Sequence, residues 1–186
     1  HLQLRVIIKV NGVKTLNRIA STWLGRAGIG LEYLMSRSGP MSMAPSQLGA
    51  FAKSDPGQDR ANVEFHVQPL SLGAFGEPLH GFDAFTASVC NLRPTSRGSV
   101  HAQGPAGQKG SEAPVIRPNS LSTDDDLRVA ADSIRLVRRI AAAPALQRYR
   151  PDEWLPGPAF QTEEELRQAA GKIGTPQLLR SLTRDP

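Results

Sequence analysis

Aromatic side chains make up only 5% of this 186-residue sequence, so a core has to be assembled mainly from Leu, Ile, Val and Ala. The length is enough for one domain with a sizeable core. A single thiol, Cys90, excludes an internal disulfide and fits a reducing compartment. In its strand-like surroundings it reads as a small buried hydrophobe. No apolar run approaches the roughly 20 residues that a bilayer span requires. Metal-ligand spacing, a phosphate-cradling glycine loop after a strand, and a nucleophile elbow are all missing. The chain opens on His1 with neither a start methionine nor a signal peptide, and we expect a fragment.

Charge is present in excess of one sign. The net charge is +5 and the pI about 9.9, which raises a basic nucleic-acid binder as one reading. No basic run is interleaved with base-stacking aromatics, however. The densest one, "RLVRR" at Arg135–Arg139, lies late in a helical pattern that opens with Asp124, Asp125 and Asp126. Acids at a helix start and bases near its end are what the helix dipole favours, so a solvated helix face accounts for the run.

The periodicities give an α+β chain, an antiparallel sheet flanked by helices. Leu2, Leu4, Val6, Ile8 and Val10 alternate with Gln3, Arg5 and Lys9, a strand with one buried face, and Asn11-Gly12 then supplies a tight turn. From Leu16 the period becomes helical, with Ile19, Ala20, Trp23, Leu24, Ala27, Leu31, Leu34 and Met35 on one inward stripe. Ser38-Gly39-Pro40 ends that helix. Strands follow at "QLGAFAK", at "NVEFHVQP" and from Ala84 to Leu92. Pro94 and Gly98 bracket the corner "NLRPTSRGSV", which predicts a hairpin-like connection to "GSVHAQ". "GPAGQKGSEAP" reads as a surface loop. The helix Asp124–Ala143 presents Leu127, Ala130, Ala131, Ile134, Val137 and Ala141 inward, and "TEEE" at Thr162–Glu165 is a capping box for a last helix.

Among polar residues His66 stands out, since it shares a strand face with Glu64 and Gln68 where an imidazole can reach a ligand. The plain alternative is a hydrogen-bonded surface histidine. His80 and His101 fall in a loop and beside the corner, as structural or solvated residues. The residues taken alone give a domain with one polar sheet face and no catalyst.

The ordered series "HLQLRV", "GLEYLMSRSGPMSMAPSQLGAFAKS", "VEFHVQPLS", "ASVCNLRPTSRGSV", "PVIRPNSLSTDDDLRVAADSIRLVRRI" and "TEEELRQAAGKIGT" resembles the C-terminal, substrate-binding half of glucose–methanol–choline (GMC) flavoprotein oxidoreductases. The bacterial alcohol and choline dehydrogenase branch is the nearest. The resemblance runs from Leu2 to about Thr175, and we expect residues 1–175 to form a partial substrate-binding domain. Residues 176–186 are a tail of unassigned origin. It implies an enzyme that oxidises an alcohol's CH–OH to an aldehyde or ketone, the hydride passing to FAD, which the missing N-terminal part would mainly hold. The family's Gly-x-Gly-x-x-Gly fingerprint is absent from the chain. So is the His-Pro-x-Gly-Thr segment with the family's catalytic histidine, expected after Thr175. The resemblance therefore assigns no catalytic residue here, and the chain alone is expected to be inactive.

Gln47 falls where choline-specific members of the family place a glutamate, and His66 at a position that lines the pocket beside the flavin. Met43, in the loop "PMSMAPS", completes the expected substrate-binding set. The alternative for Gln47 is an ordinary strand residue. A stand-alone binding or cap module without redox chemistry is the second reading of the whole chain. A small-molecule alcohol is the expected partner, without nucleic acid and without a transmembrane segment, in the cytoplasm or peripheral at the inner membrane.

Overall fold

Alternation in the first residues becomes the central strand of a sheet. In a computed structural model, described here for residues 2–44, 46–74, 76–102 and 114–176, strand β1 covers Leu2–Lys9. Leu4, Val6 and Ile8 enter the core as their period requires, but Ile7 on the opposite face is also only 1% exposed. The chain then makes two helices where the pattern predicts one, α1 (Leu16–Ile19) and α2 (Trp23–Ser36). Thr22 is extended and its Oγ1 accepts the Gly25 N–H at 3.1 Å, a cap that restarts the helix in a new direction. Any side chain at Gly25 would collide with the Ile19 carbonyl, so the glycine is what lets α2 start so close to α1. Arg37, in the left-handed region at φ 53°, closes α2, and a 3-10 turn at Pro40–Ser42 follows.

Three strands build the sheet outward from β1. They are β2 (Leu48–Ala52), β3 (Val63–Gln68) and β4 (Ala84–Asn91), each antiparallel to its neighbour, with β4 beside β1. On the far side of β1 run β7 (Asp152–Leu155) and β8 (Gly174–Pro176), neither of which has a readable period in the sequence. The six strands follow the order β2-β3-β4-β1-β7, with β8 also on β1. Residues 177–186 lie outside the described residues, as does most of the expected loop "GPAGQKGSEAP".

The corner departs from expectation. Strand β5 (Ser99–His101) does not pair back onto the main sheet; it joins β6 (Val115–Arg117) in a separate two-stranded ribbon. The reason is a clasp on the next helix, α3 (Asp124–Ala141). Asp126 in its first turn is 3% exposed, and its carboxylate accepts the backbone N–H groups of Thr95 (2.9 Å) and Ser96 (3.0 Å) and the Asn91 amide (3.2 Å). Ser122 N–H donates to Ser96 Oγ at 2.9 Å, and the hydroxyls of Thr95 and Thr123 meet at 2.6 Å. A Cβ on Gly98 would strike the carbonyls of Arg117 and Pro118, so glycine lets the ribbon close against the corner.

Helix α3 and helix α5 (Glu163–Ile173) cover one face of the sheet. Val129, Ala130, Ile134 and Val137 of α3, with Leu166 and Ala170 of α5, meet Val6, Val63, Phe65, Ala87 and Val89 in one core. The expected capping box is present: Thr162 Oγ1 accepts the Glu165 N–H at 3.3 Å while Glu165 accepts the Thr162 N–H at 2.9 Å. A one-turn helix, α4 (Pro144–Gln147), links α3 to β7. The "RLVRR" run is not simply solvated. Arg138 donates two hydrogen bonds to the Glu153 carboxylate, at 2.7 and 2.8 Å, and Arg135 reaches both Asp132 and Glu163.

The largest correction concerns α2. It has no buried residue, and its predicted inward stripe faces out, with Trp23 75%, Leu34 71% and Met35 79% exposed. The half-covered residues are instead Gly25, Ile29 and Tyr33, on the other side of the helix, and Gly30 at the edge of the stripe.

Candidate functional site on the polar sheet face

Strand alternation puts the core residues of β3 and β4 on one face and Glu64, His66, Gln68, Thr86, Ser88 and Cys90 on the other. Register then sets neighbours that the sequence cannot show. His66 stands opposite Gly49 on β2 and Ser88 on β4, and Ser88 is in turn opposite Arg5 on β1. Glu64 stands opposite Phe51 and Cys90. His66 Nε2 lies 3.5 Å from Glu64 Oε1, with the two side chains 33% and 27% exposed. This carboxylate–imidazole pair is half-exposed, while Thr86, Ser88 and Cys90 on the same face are buried. Gly49 leaves the position beside the pair free of a side chain.

One end of the face is walled. Arg5 donates to the carbonyls of Leu72 and Gly73, and Thr86 Oγ1 donates to the Leu70 carbonyl at 2.8 Å. Asn17 on α1, fully buried, donates to the carbonyls of Ser71 (3.0 Å) and His80 (2.9 Å) and accepts the Ser71 N–H at 2.8 Å. These bonds fix the segment after β3 across the end of the sheet. His80, expected as a solvated or structural loop residue, is structural: it stacks on Phe82 at 4.9 Å, touches Trp154, and shares a hydrogen bond with Ser71 Oγ at 3.0 Å. Burial, reinforced by the Arg5 charge, holds its imidazole below the usual range. Cys90 is buried as expected, and burial pushes its thiol up.

The expected site residues are placed unevenly. Gln47 donates its backbone N–H to the Val67 carbonyl at 2.9 Å, immediately before β2, and alternation through Gly49 gives it the same face as His66. Its side chain is exposed. Met43 ends the 3-10 turn, half-buried, and nothing in the strand register assigns it to that face. Ser88, opposite His66, and Arg5, opposite Ser88, are placed on this face by cross-strand register, which periodicity alone misses. A separate cleft of about 530 Å³ opens on the helix side, between Leu2, Leu121, Leu127 and Gly174. None of its lining groups is ionisable, so it carries no acid–base chemistry.

An antiparallel sheet with helices on one face and a half-open polar surface on the other is an α+β architecture. Residues 94–177 match the family described as GMC oxidoreductase. Alcohol dehydrogenase (acceptor) of Pseudomonas putida is 30% identical over 167 residues, covering 89% of this chain and 30% of that protein. Oxygen-dependent choline dehydrogenase of Pectobacterium atrosepticum is 33% identical over 147 residues, 79% of this chain and 26% of that protein. Among solved structures, formate oxidase of Aspergillus oryzae superposes with a TM-score of 0.76 at 14% identity, over 94% of this chain and 35% of its own. An FAD-dependent oxidoreductase from Chaetomium thermophilum gives 0.70 at 16% identity, over 94% and 36%. The chain belongs to the GMC oxidoreductase family, with its likeness in the C-terminal domain. It spans less than a third of the length of these curated relatives.

Proposed function

We propose that residues 1–175 supply the substrate-binding portion of an FAD-dependent enzyme that oxidises the CH–OH group of an alcohol. The observation that carries this is the Glu64–His66 pair at 3.5 Å on the open polar face of a sheet with this fold. The bare Gly49 position beside His66, next to the exposed Phe51, leaves room for the ring end of a flavin. The phosphate end has no seat among the described residues, as no glycine-rich turn joins a strand to a helix. FAD, when bound, supplies the hydride acceptor. His66 faces the alcohol, and its imidazole orients the substrate hydroxyl. Glu64 holds the ring in place, and Gln47 contacts the remainder of the substrate.

Substrate choice follows from charge. A quaternary ammonium is favoured by a carboxylate or an aromatic cage. Gln47 is neutral, and the loop before it contributes Met41 and Met43, flexible apolar side chains that suit an uncharged alcohol. The test uses a chain extended to the length of its relatives. We expect it to prefer uncharged primary alcohols to choline, and Gln47→Glu to move the ratio of kcat/KM towards choline. An unchanged ratio would reduce Gln47 to a plain strand residue. His66→Ala should lower kcat/KM on the order of 100-fold; full activity in that variant removes His66 from the pocket. The protein works in the cytoplasm, and peripheral contact with the inner membrane is part of this reading. Among the described residues no helix is long and apolar enough to cross a membrane.

A further inference from the structure

The segment after β3 doubles back as a short hairpin, with Leu72 paired to Leu79 and the His80 N–H donating to the Ser71 carbonyl at 3.0 Å. Inside it, one fully buried hydroxyl has a single acceptor for its proton. Ser71 Oγ has two partners among the described residues, the Asn17 amide nitrogen and His80 Nδ1, each at 3.0 Å. Asn17 Oδ1 accepts the Ser71 N–H at 2.8 Å, which fixes how the amide is turned. The amide nitrogen can only donate, so the Ser71 oxygen accepts there and its proton goes to Nδ1. That bond exists only while Nδ1 carries a lone pair, which makes the ring neutral with its proton on Nε2. A protonated imidazole presents an N–H at Nδ1 as well. The buried hydroxyl then keeps a proton with no acceptor, an arrangement that folded proteins avoid.

The surroundings select the same state. His80 faces two cations on β1, Arg5 and Lys9, and one carboxylate, Glu77, in its own hairpin. From α1 and β7 it meets the uncharged Asn17 and Trp154. Other nearby carboxylates are engaged elsewhere: Asp83 accepts the Thr15 N–H at 2.7 Å and lies 3.6 Å from Arg18, Glu153 takes Arg138, and Asp152 stands opposite Lys9. Burial, together with the Arg5 and Lys9 charges, holds the imidazole below its ordinary range. The same hairpin is the wall at the end of the polar face, since Arg5 holds its Leu72 and Gly73 carbonyls and Thr86 the Leu70 carbonyl. We infer that His80 is a proton-operated latch on this wall: neutral, it closes the hairpin through the Ser71 hydroxyl, and protonated, it loosens the stem and opens that end of the face.

The direction with pH follows from the two states. In the opened hairpin the imidazole has its ordinary pKa of about 6.5, and in the closed one a lower value. Closure is therefore complete above about pH 6.5 and is lost as pH falls through that value towards the lower one. Hydrogen exchange of the 186-residue chain, followed by NMR and corrected for intrinsic rates, reads this at the Ser71 and His80 amides. Their protection should fall at least about threefold from pH 8 to pH 5. Val89, paired on both sides within the sheet, should keep its protection. The imidazole nitrogen shifts should place the proton on Nε2 at pH 8. His80→Asn puts an oxygen near the place of Nδ1 with no proton to gain, and should hold the hairpin amides level across the range. Ser71→Ala removes the hydroxyl that needs the acceptor, and should raise the His80 titration midpoint towards the ordinary value. A proton on Nδ1 at pH 8, level protection in the parent, the same fall in His80→Asn, or an unmoved midpoint in Ser71→Ala overturns the inference. So does a parallel fall at Val89, which makes the acid effect global. The latch serves any substrate of the face, and neither flavin absorbance nor alcohol turnover enters these readouts, so it and the proposed function can fail separately.

Discussion

Asp126 shows how one side chain can decide the course of the backbone. Burial by itself would raise its pKa, but the Ser96 and Thr95 donors outweigh burial and hold the carboxyl below the ordinary carboxylate range. Its stabilisation is therefore complete above the unfolded value of about 3.9 and is lost as pH falls through that value towards the lower folded one. Asp126→Asn removes the charge that the two backbone donors clasp, and should cost about 1–3 kcal/mol at pH 7. Urea unfolding between pH 3 and 7 should show a flatter acid limb in the variant than in the parent. Parallel limbs would mean that the clasp does not titrate with folding. At the polar face the residue-scale lesson differs. His66 and Glu64 could be paired from a two-residue spacing, whereas Ser88 and Arg5 could not.

Elements differ in how far their own patterns govern them. In α3 four of the six predicted inward residues, Ala130, Ala131, Ile134 and Val137, are 3% exposed or less, while Leu127 and Ala141 near its ends are half-buried. Ile134 is fully buried against the sheet, so Ile134→Asp places an unpartnered charge there and should cost several kcal/mol, on the order of the whole stability margin. A variant melting at the parent's temperature would contradict the shared α3–sheet core. For α5, Thr162→Ala breaks a capping box that is exposed and local, and a loss of about 1 kcal/mol in denaturant unfolding is expected. Helix α2 obeys the same periodicity as α3, yet its stripe points outward. Periodicity reports that a face is apolar and is silent on which neighbour receives it. Strands β7 and β8 show the converse: with four and three residues, they are too short to display a period, and pairing with β1 alone makes them strands.

At the scale of the molecule, the sheet separates two surfaces with different work. Helices seal one face, and the other holds the half-exposed Glu64–His66 pair beside a wall fixed by Arg5, Thr86 and Asn17. The chain alone lacks the glycine-rich dinucleotide fingerprint, and we expect it to retain no FAD and to show no alcohol turnover with an artificial acceptor. Stoichiometric bound flavin after purification with added FAD, or turnover above buffer, would contradict this. Local sequence determined most strands, the α3 helix, the α5 helix with its capping box, and the polar character of the β3 face. Each of those depends on residues within a few positions of one another, where periodicity, capping and turn chemistry operate. Tertiary structure alone decided the strand register that sets Ser88 beside His66, the diversion of the corner into the β5–β6 ribbon, and the outward turn of α2. Those depend on contacts between residues tens of positions apart, which no local pattern encodes.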